Sequence, residues 1–125
     1  MSDNCEIINI NSDFGELKHK VFGFLLYTNS SISLNILGGN KPHIGSIIIS
    51  YPRASLKDKN ITSVTTSTHN ICGHKDDEIG KPIAEMFARE FNLITVVVIG
   101  IHINNASNDE INLISKNASK WLMIC

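Results

Sequence analysis

The stretch from Leu93 to Ile103, LITVVVIGIHI, constrains this chain more than any other, because it is nearly all apolar and dominated by β-branched residues. Branching at Cβ favours extended backbone, and a strand apolar on both alternating faces belongs where both faces are covered. The stretch is therefore expected at the centre of a sheet, buried front and back, and the rest of the chain must supply its neighbours and its covers. With 125 residues, 42% of them hydrophobic and 18% charged, the chain has material for one sizeable core. A single domain over residues 1–125 is expected.

The neighbours are legible before Thr68, where β-branched residues and period-two patches prevail. Leu17 to Tyr27 and Ile32 to Leu37 flank Thr28-Asn29-Ser30-Ser31 and read as a hairpin, in which Ile32, Leu34 and Ile36 alternate with Ser33 and Asn35. Gly38-Gly39-Asn40 supplies the next turn. His43 to Tyr51 reads as a further strand stopped by Pro52, and Ile61 to Thr68 as another, with one face of hydroxyls turned to solvent, a ligand or a partner. Together these predict an antiparallel meander.

The covers come later. Ile79, Ile83, Met86, Phe87 and Phe91 recur at helical intervals, predicting a helix over residues 76–92 whose start is complicated by Gly80 and Pro82: it begins near Lys81 or its first turn is kinked. Ser107 and Glu110 form a capping box before a second helix running to the C-terminus, with Ile111, Ile114, Ala118, Trp121 and Leu122 on its apolar stripe and Leu113 beside it. The fold class is α+β: an antiparallel β-meander followed by an αβα unit, with helices packed on the sheet.

Charge and cysteine usage exclude several function classes. A formal net charge of -1 and the absence of a local basic cluster argue against nucleic acid or an anionic membrane surface as partner. Met1-Ser2-Asp3-Asn4 has no positive region and leads into only a short apolar run, so neither a signal peptide nor a membrane span is expected. Cys5, Cys72 and Cys125 are odd in number and widely spaced, a pattern of free thiols. A cytoplasmic protein is expected.

Polar chemistry gathers most densely at Gly73-His74-Lys75-Asp76-Asp77-Glu78, an imidazole, an ammonium and three carboxylates entering a helix. The acids alone would suit a helix N-terminus, with Asp76 or Asp77 as its cap, but that reading does not account for His74 and Lys75. His102 ends the long apolar strand on the same face as Gly100, where a missing side chain lets a ligand or another backbone approach. Arg53 and Ser55 follow a strand and suit a phosphate or carboxylate; His43 opens a strand, with Gly45 again permitting close approach. His69, Cys72 and His74 are types that zinc accepts, although a fourth ligand such as His102 or Asp77 would have to come from elsewhere.

Two families carry parts of this pattern. His74-Lys75-Asp76-Asp77-Glu78 resembles the His-Pro-Asp-Asp-Glu signature of zinc-dependent N-acetylglucosaminyl deacetylases, but Lys75 replaces the proline, the motif lies past mid-chain, and no His-x-x-His pair follows. A longer match begins at about His43: Pro52-Arg53-x-Ser55-Leu56, then Gly73 to Glu78 opening a helix, then an apolar strand ending Gly100-Ile101-His102, then an acidic-capped helix. That order resembles the LpdD-like family, the small D subunit associated with gallate decarboxylase and a prenylated-flavin chaperone domain. Its fold is similar to that of proteasome assembly chaperones.

The resemblance implies a non-catalytic homodimer that holds prenylated FMN, or FMN, and serves a UbiD-type (de)carboxylase and a flavin prenyltransferase. The residues it implies for the cofactor are His43, Gly45, Arg53, Ser55, Gly73, His74, Lys75, Asp76, Asp77, Gly100 and His102, with the acidic loop as one wall of a pocket shared with Arg53, Ser55 and His102. Asp76, Asp77 and Glu78 would repel a phosphate unless a cation intervened, so hydroxyls, a metal or a partner are expected opposite them. A protein-binding scaffold without a small-molecule ligand and a metal-dependent hydrolase are the alternatives.

Overall fold

The computed structural model describes residues 7–71 and 76–123. In chain order these form β1 (Ile7–Phe14), a 3-10 turn (Leu17–His19), β2 (Val21–Thr28), β3 (Ser31–Gly39), β4 (Ser46–Ala54), β5 (Thr62–Asn70), α1 (Asp77–Phe91), β6 (Ile94–His102), α2 (Asn108–Ser119) and a closing 3-10 turn (Lys120–Met123). The strands make one six-stranded sheet in the order β1-β2-β3-β6-β4-β5. β6 runs parallel to β3, and the other pairs are antiparallel.

The α+β class and the αβα order of α1, β6 and α2 are as the sequence predicts. The meander is divided, however. β1, β2 and β3 form one antiparallel block and β4 and β5 another, and β6 enters between them. Insertion gives the most apolar strand two paired neighbours, which is why it occupies the middle. At the β2–β3 connection Thr28 Oγ1 accepts from the backbone N–H groups of Ser30 and Ser31 at 3.1 and 3.0 Å, so the threonine holds the expected hairpin turn.

Several boundaries differ from the sequence reading: β2 starts at Val21, after a 3-10 turn at Leu17–His19, and β4 at Ser46, so His43 precedes the strand instead of opening it. The short apolar run after Asn4 lies in an edge strand, β1, half of whose residues are polar. Pro52 does not stop β4, because it lies past the last residue paired with β6, where only β5 pairs with the strand and a missing N–H is tolerated. α1 spans Asp77–Phe91, in keeping with the predicted 76–92, and of the two starts considered it takes the early one, with Pro82 inside the helix. Gly80 lies within that first stretch on the sheet side: a Cβ there would stand 2.4 Å from Ile48 Cδ1, so the glycine sets how closely the helix approaches β4 and β6.

Both helices sit on one face of the sheet. The core combines Val21, Leu25, Ile32, Leu34, Ile36, Ile48, Val97 and Ile99 from the strands with Ile83, Ala84 and Phe87 from α1, Ile114 and Ala118 from α2, and Trp121 beyond it. α2 ends at Ser119 and tightens into the 3-10 turn that carries Trp121, whose ring meets Phe14 edge-on at 6.1 Å. Ile111 and Leu113 are exposed, so the buried stripe of α2 is narrower than its periodicity implied. On the other face of the sheet β6 presents Ile94, Val96 and Val98, of which none is buried. β6 is central, but its expected two-sided cover is one-sided. No helix among the described residues is long and apolar enough to cross a membrane.

Candidate functional site

Register decides which of the candidate residues can meet. Gly38 and Gly39 of β3 lie beside Ile101 and His102 of β6, and Ser46 of β4 lies beside Ile99 and Asn70. The C-terminal ends of β3, β5 and β6, the start of β4 and the start of α1 therefore share one end of the sheet. Of the predicted residues, His43, Gly45, Asp76, Asp77, Gly100 and His102 gather there. Gly73, His74 and Lys75 lie outside the described residues, as does Cys72.

Gly100 has a definite task. A Cβ there would stand 1.2 Å from the carbonyl oxygen of His43, and Gly45 N–H donates to Ile99 O at 2.9 Å. The close approach expected at Gly100 is thus made by the chain's own residues 43–45, not by space left for a ligand. The crossing brings the His43 ring to 6.0 Å from that of His102, in an edge-to-face arrangement. His43 Nδ1 donates to Lys41 O at 2.7 Å, and His102 Nε2 is hydrogen-bonded to the Asn104 side chain at 3.1 Å. A backbone carbonyl only accepts, so the first bond places a proton on His43 Nδ1.

Asp76 is buried, and its Oδ1 accepts from Ile101 N–H at 3.2 Å. β4 has diverged from β6 by this point, and the carboxylate replaces the missing strand as acceptor. Its position is that of the α1 N-cap, but its side chain makes no capping bond; its backbone carbonyl accepts from Ile79 and Gly80 at 3.1 and 2.9 Å. Asp77 is half-buried and Glu78 exposed at the same helix start. Sequence reasoning missed Asn40, whose side-chain oxygen accepts from Asn104 N–H at 3.0 Å, and Ser46, which donates to Asn70 Oδ1 at 2.6 Å. Their side chains tie neighbouring segments of this end together, and single short polar residues in a turn or at a strand end carry no periodic signal that would mark them.

Arg53 and Ser55 are elsewhere. Arg53 is on β4 beyond Ser50, which pairs with Thr95 near the start of β6, so it sits roughly 30 Å along the strands from His102 at ~3.3 Å per residue. Arg53 Nε donates to Thr65 Oγ1 at 2.8 Å, and Ser55 Oγ accepts from Lys57 N–H at 3.2 Å. Within one chain the structure does not form the wall shared by Arg53, Ser55 and His102. His69 is on β5, paired with Ile47. Among the described residues, no group of three or more His, Cys, Asp or Glu side chains is placed to hold a metal ion.

An electrostatic cluster lies at this same end on the β2 side, where residues 18–20 lead into Val21 opposite Gly38. Glu110 Oε2 is 2.8 Å from His19 Nε2 and 3.1 Å from Lys18 Nζ, and the hydrogen bond from His19, with that from Lys18, holds its carboxyl at about 2, below the ordinary 4.5. The same glutamate completes the capping box with Ser107. A hollow of about 340 Å³, lined by residues including Glu16, His19, Leu113 and Asn117, lies beside this cluster.

The site thus belongs to a sheet with both helices on one face and loops gathered at one end. The fold is similar to a chain in the crystal structure of a novel chaperone complex for yeast 20S proteasome assembly, with a TM-score of 0.57 and 13% identity over 95% of this chain and 91% of that one. At that identity the likeness concerns the fold alone. The sequence matches the prenylated flavin chaperone LpdD-like domain over residues 15–124, and the chain belongs to that family. A comparison with curated proteins finds no match.

Proposed function

We propose that this chain is a non-catalytic chaperone that binds prenylated FMN and passes it from a flavin prenyltransferase to a UbiD-type aromatic-acid (de)carboxylase. The observation that carries the reading is the family match over residues 15–124. The residues described above are compatible with such a cargo. Leu37 and Val98 offer an apolar surface to a planar ring, and the His43 and His102 rings stand near its margin. The cofactor supplies the decarboxylation chemistry in the client enzyme; this chain's residues would bind and shelter it.

The distance along β4 removes Arg53 and Ser55 from the same ligand within one chain. For the phosphate side, Gly73, His74 and Lys75 are proposed on the sequence alone, with Asp77 toward the cofactor's hydroxyls. Asp76 is assigned to holding Ile101. Isolation under anaerobic conditions alongside a flavin prenyltransferase should yield protein with a stoichiometric flavin spectrum, and His102→Ala should lose most of it. A clean apo protein with no measurable affinity for FMN or prenylated FMN would overturn the reading.

A second reading, a protein-binding assembly scaffold with no small-molecule ligand, is favoured by the fold likeness to a proteasome-assembly chaperone chain. The two separate in one experiment. Capture of the client decarboxylase that is unaffected by His102→Ala and by the absence of flavin supports the scaffold; capture that needs both supports the cofactor carrier.

A further inference from the structure

β5 ends the sheet, and along its outer edge the backbone groups find no partner among the described residues. Which groups these are follows from the ladder with β4. Ser55 N–H donates to Ile61 O and Ile71 N–H to Gly45 O, each at 2.8 Å, so at both ends of the strand the odd-numbered residues turn toward β4. The N–H and C=O groups of Thr62, Val64, Thr66, Thr68 and Asn70 therefore point away from the sheet. Folded proteins ordinarily blunt such an edge with charge, proline, a bulge or brevity. β5 has none of these: its nine residues, TSVTTSTHN, hold no carboxylate, ammonium or guanidinium and keep unbroken register with β4. β1, the opposite edge, carries Asp13.

Such an edge asks for an extended backbone, and the side chains beside it specify what that backbone carries. Thr66 Oγ1 donates to Glu85 Oε2 of α1 at 2.6 Å, so the side chains of the outward residues lie on the helix side, with a carboxylate at the middle of the row. Among the described residues, no lysine, arginine or histidine forms an ion pair with Glu85. An added strand meets that carboxylate on its helix side; on its other side it continues the face that holds Ile49 and Tyr51, both exposed. Two copies of β5 paired antiparallel about Thr66 would instead set one Glu85 against the other, and like charges so placed oppose pairing.

We infer that this edge accepts an extended segment of a partner protein, added antiparallel to β5, with a lysine or arginine opposite Thr66 and apolar residues on the open-face side. Flavin enters neither this pairing nor its test. The probe is a capped nine-residue peptide alternating threonine and valine, with lysine at its centre. N-methylation of its valine amides leaves one edge able to pair and keeps the peptide from stacking on itself. Added to the full chain, it should slow amide exchange at Thr62, Val64, Thr66, Thr68 and Asn70 at least about ten-fold, while Ser63, Thr65, Ser67 and His69, already bonded to β4, change little.

Methylating the threonine and lysine amides instead removes the bonding edge and should abolish binding. Glutamate in place of the central lysine should weaken binding about ten-fold to the wild-type chain and much less to Glu85→Gln. Thr68→Pro removes an outward N–H and projects a ring from the edge, so it should weaken binding at least about ten-fold with far-UV circular dichroism unchanged. Should that variant unfold, the two methylation patterns give the same readout on the wild-type chain. Equal binding of the two methylated peptides, protection that falls on other strands, or no protection of these amides at millimolar peptide would overturn the proposal.

Discussion

The carboxylate of Asp76 accepts from Ile101 N–H at 3.2 Å within a buried setting, so its first task is to replace the strand that β6 lacks at that point. Removing it by Asp76→Ala leaves a buried N–H without its acceptor, which costs ~1–3 kcal/mol. Urea denaturation should show a lower midpoint with an unchanged slope. Glu110 behaves differently because its partners are at the surface. Its carboxyl is held at about 2, against an ordinary 4.5, chiefly by the hydrogen bond from His19. A depressed folded value means that the stabilisation is fully present above about 4.5 and is lost as pH falls toward about 2. Carbon-detected titration of Glu110 should give a midpoint near 2, and Glu110→Gln should flatten the acid limb of the stability curve in that window.

Periodicity made most elements legible, and the exceptions have identifiable physical causes. α1 was readable from Ile83 and Phe87, and β6 from its β-branched run, because burial imposes a repeat that the sequence must keep. β1 escaped because an edge strand with a polar outer face keeps only half of that repeat. The position of β6 was hidden for another reason: pairing partners are chosen by packing across the whole sheet, and no local pattern distinguishes a strand that extends a meander from one that splits it. The same loss explains the site. Gly100 was readable as a place of close approach, but whether a ligand or residues 43–45 would fill it depended on the path of the chain after β3. The capping box was local and therefore secure, with Ser107 Oγ accepting from Glu110 N–H at 3.2 Å. Ser107→Ala should lower stability by ~0.5–2 kcal/mol, measured by thermal or urea unfolding, the range usual for loss of an N-cap.

At the scale of the whole molecule, one residue closes the core. Trp121 is fully buried, lies against Gly23 of β2 and packs edge-on to Phe14 of β1, so the last turn of the chain clamps the first two strands. The outer block of the sheet depends on it, because α1 lies mainly over β4, β5 and β6 and touches β2 at its far end, where Phe91 meets Tyr27, leaving the rest of β1 and β2 to the C-terminal segment. Trp121→Ala should therefore cost ~3–5 kcal/mol, the range for deleting a buried large aromatic. Hydrogen exchange locates the loss: protection should fall first in β1 and β2 and persist in β4 and β6, where α1 still covers the sheet. Equal loss of protection in all six strands would mean instead that the two antiparallel blocks unfold as one unit, with β6 binding them more strongly than Trp121 does.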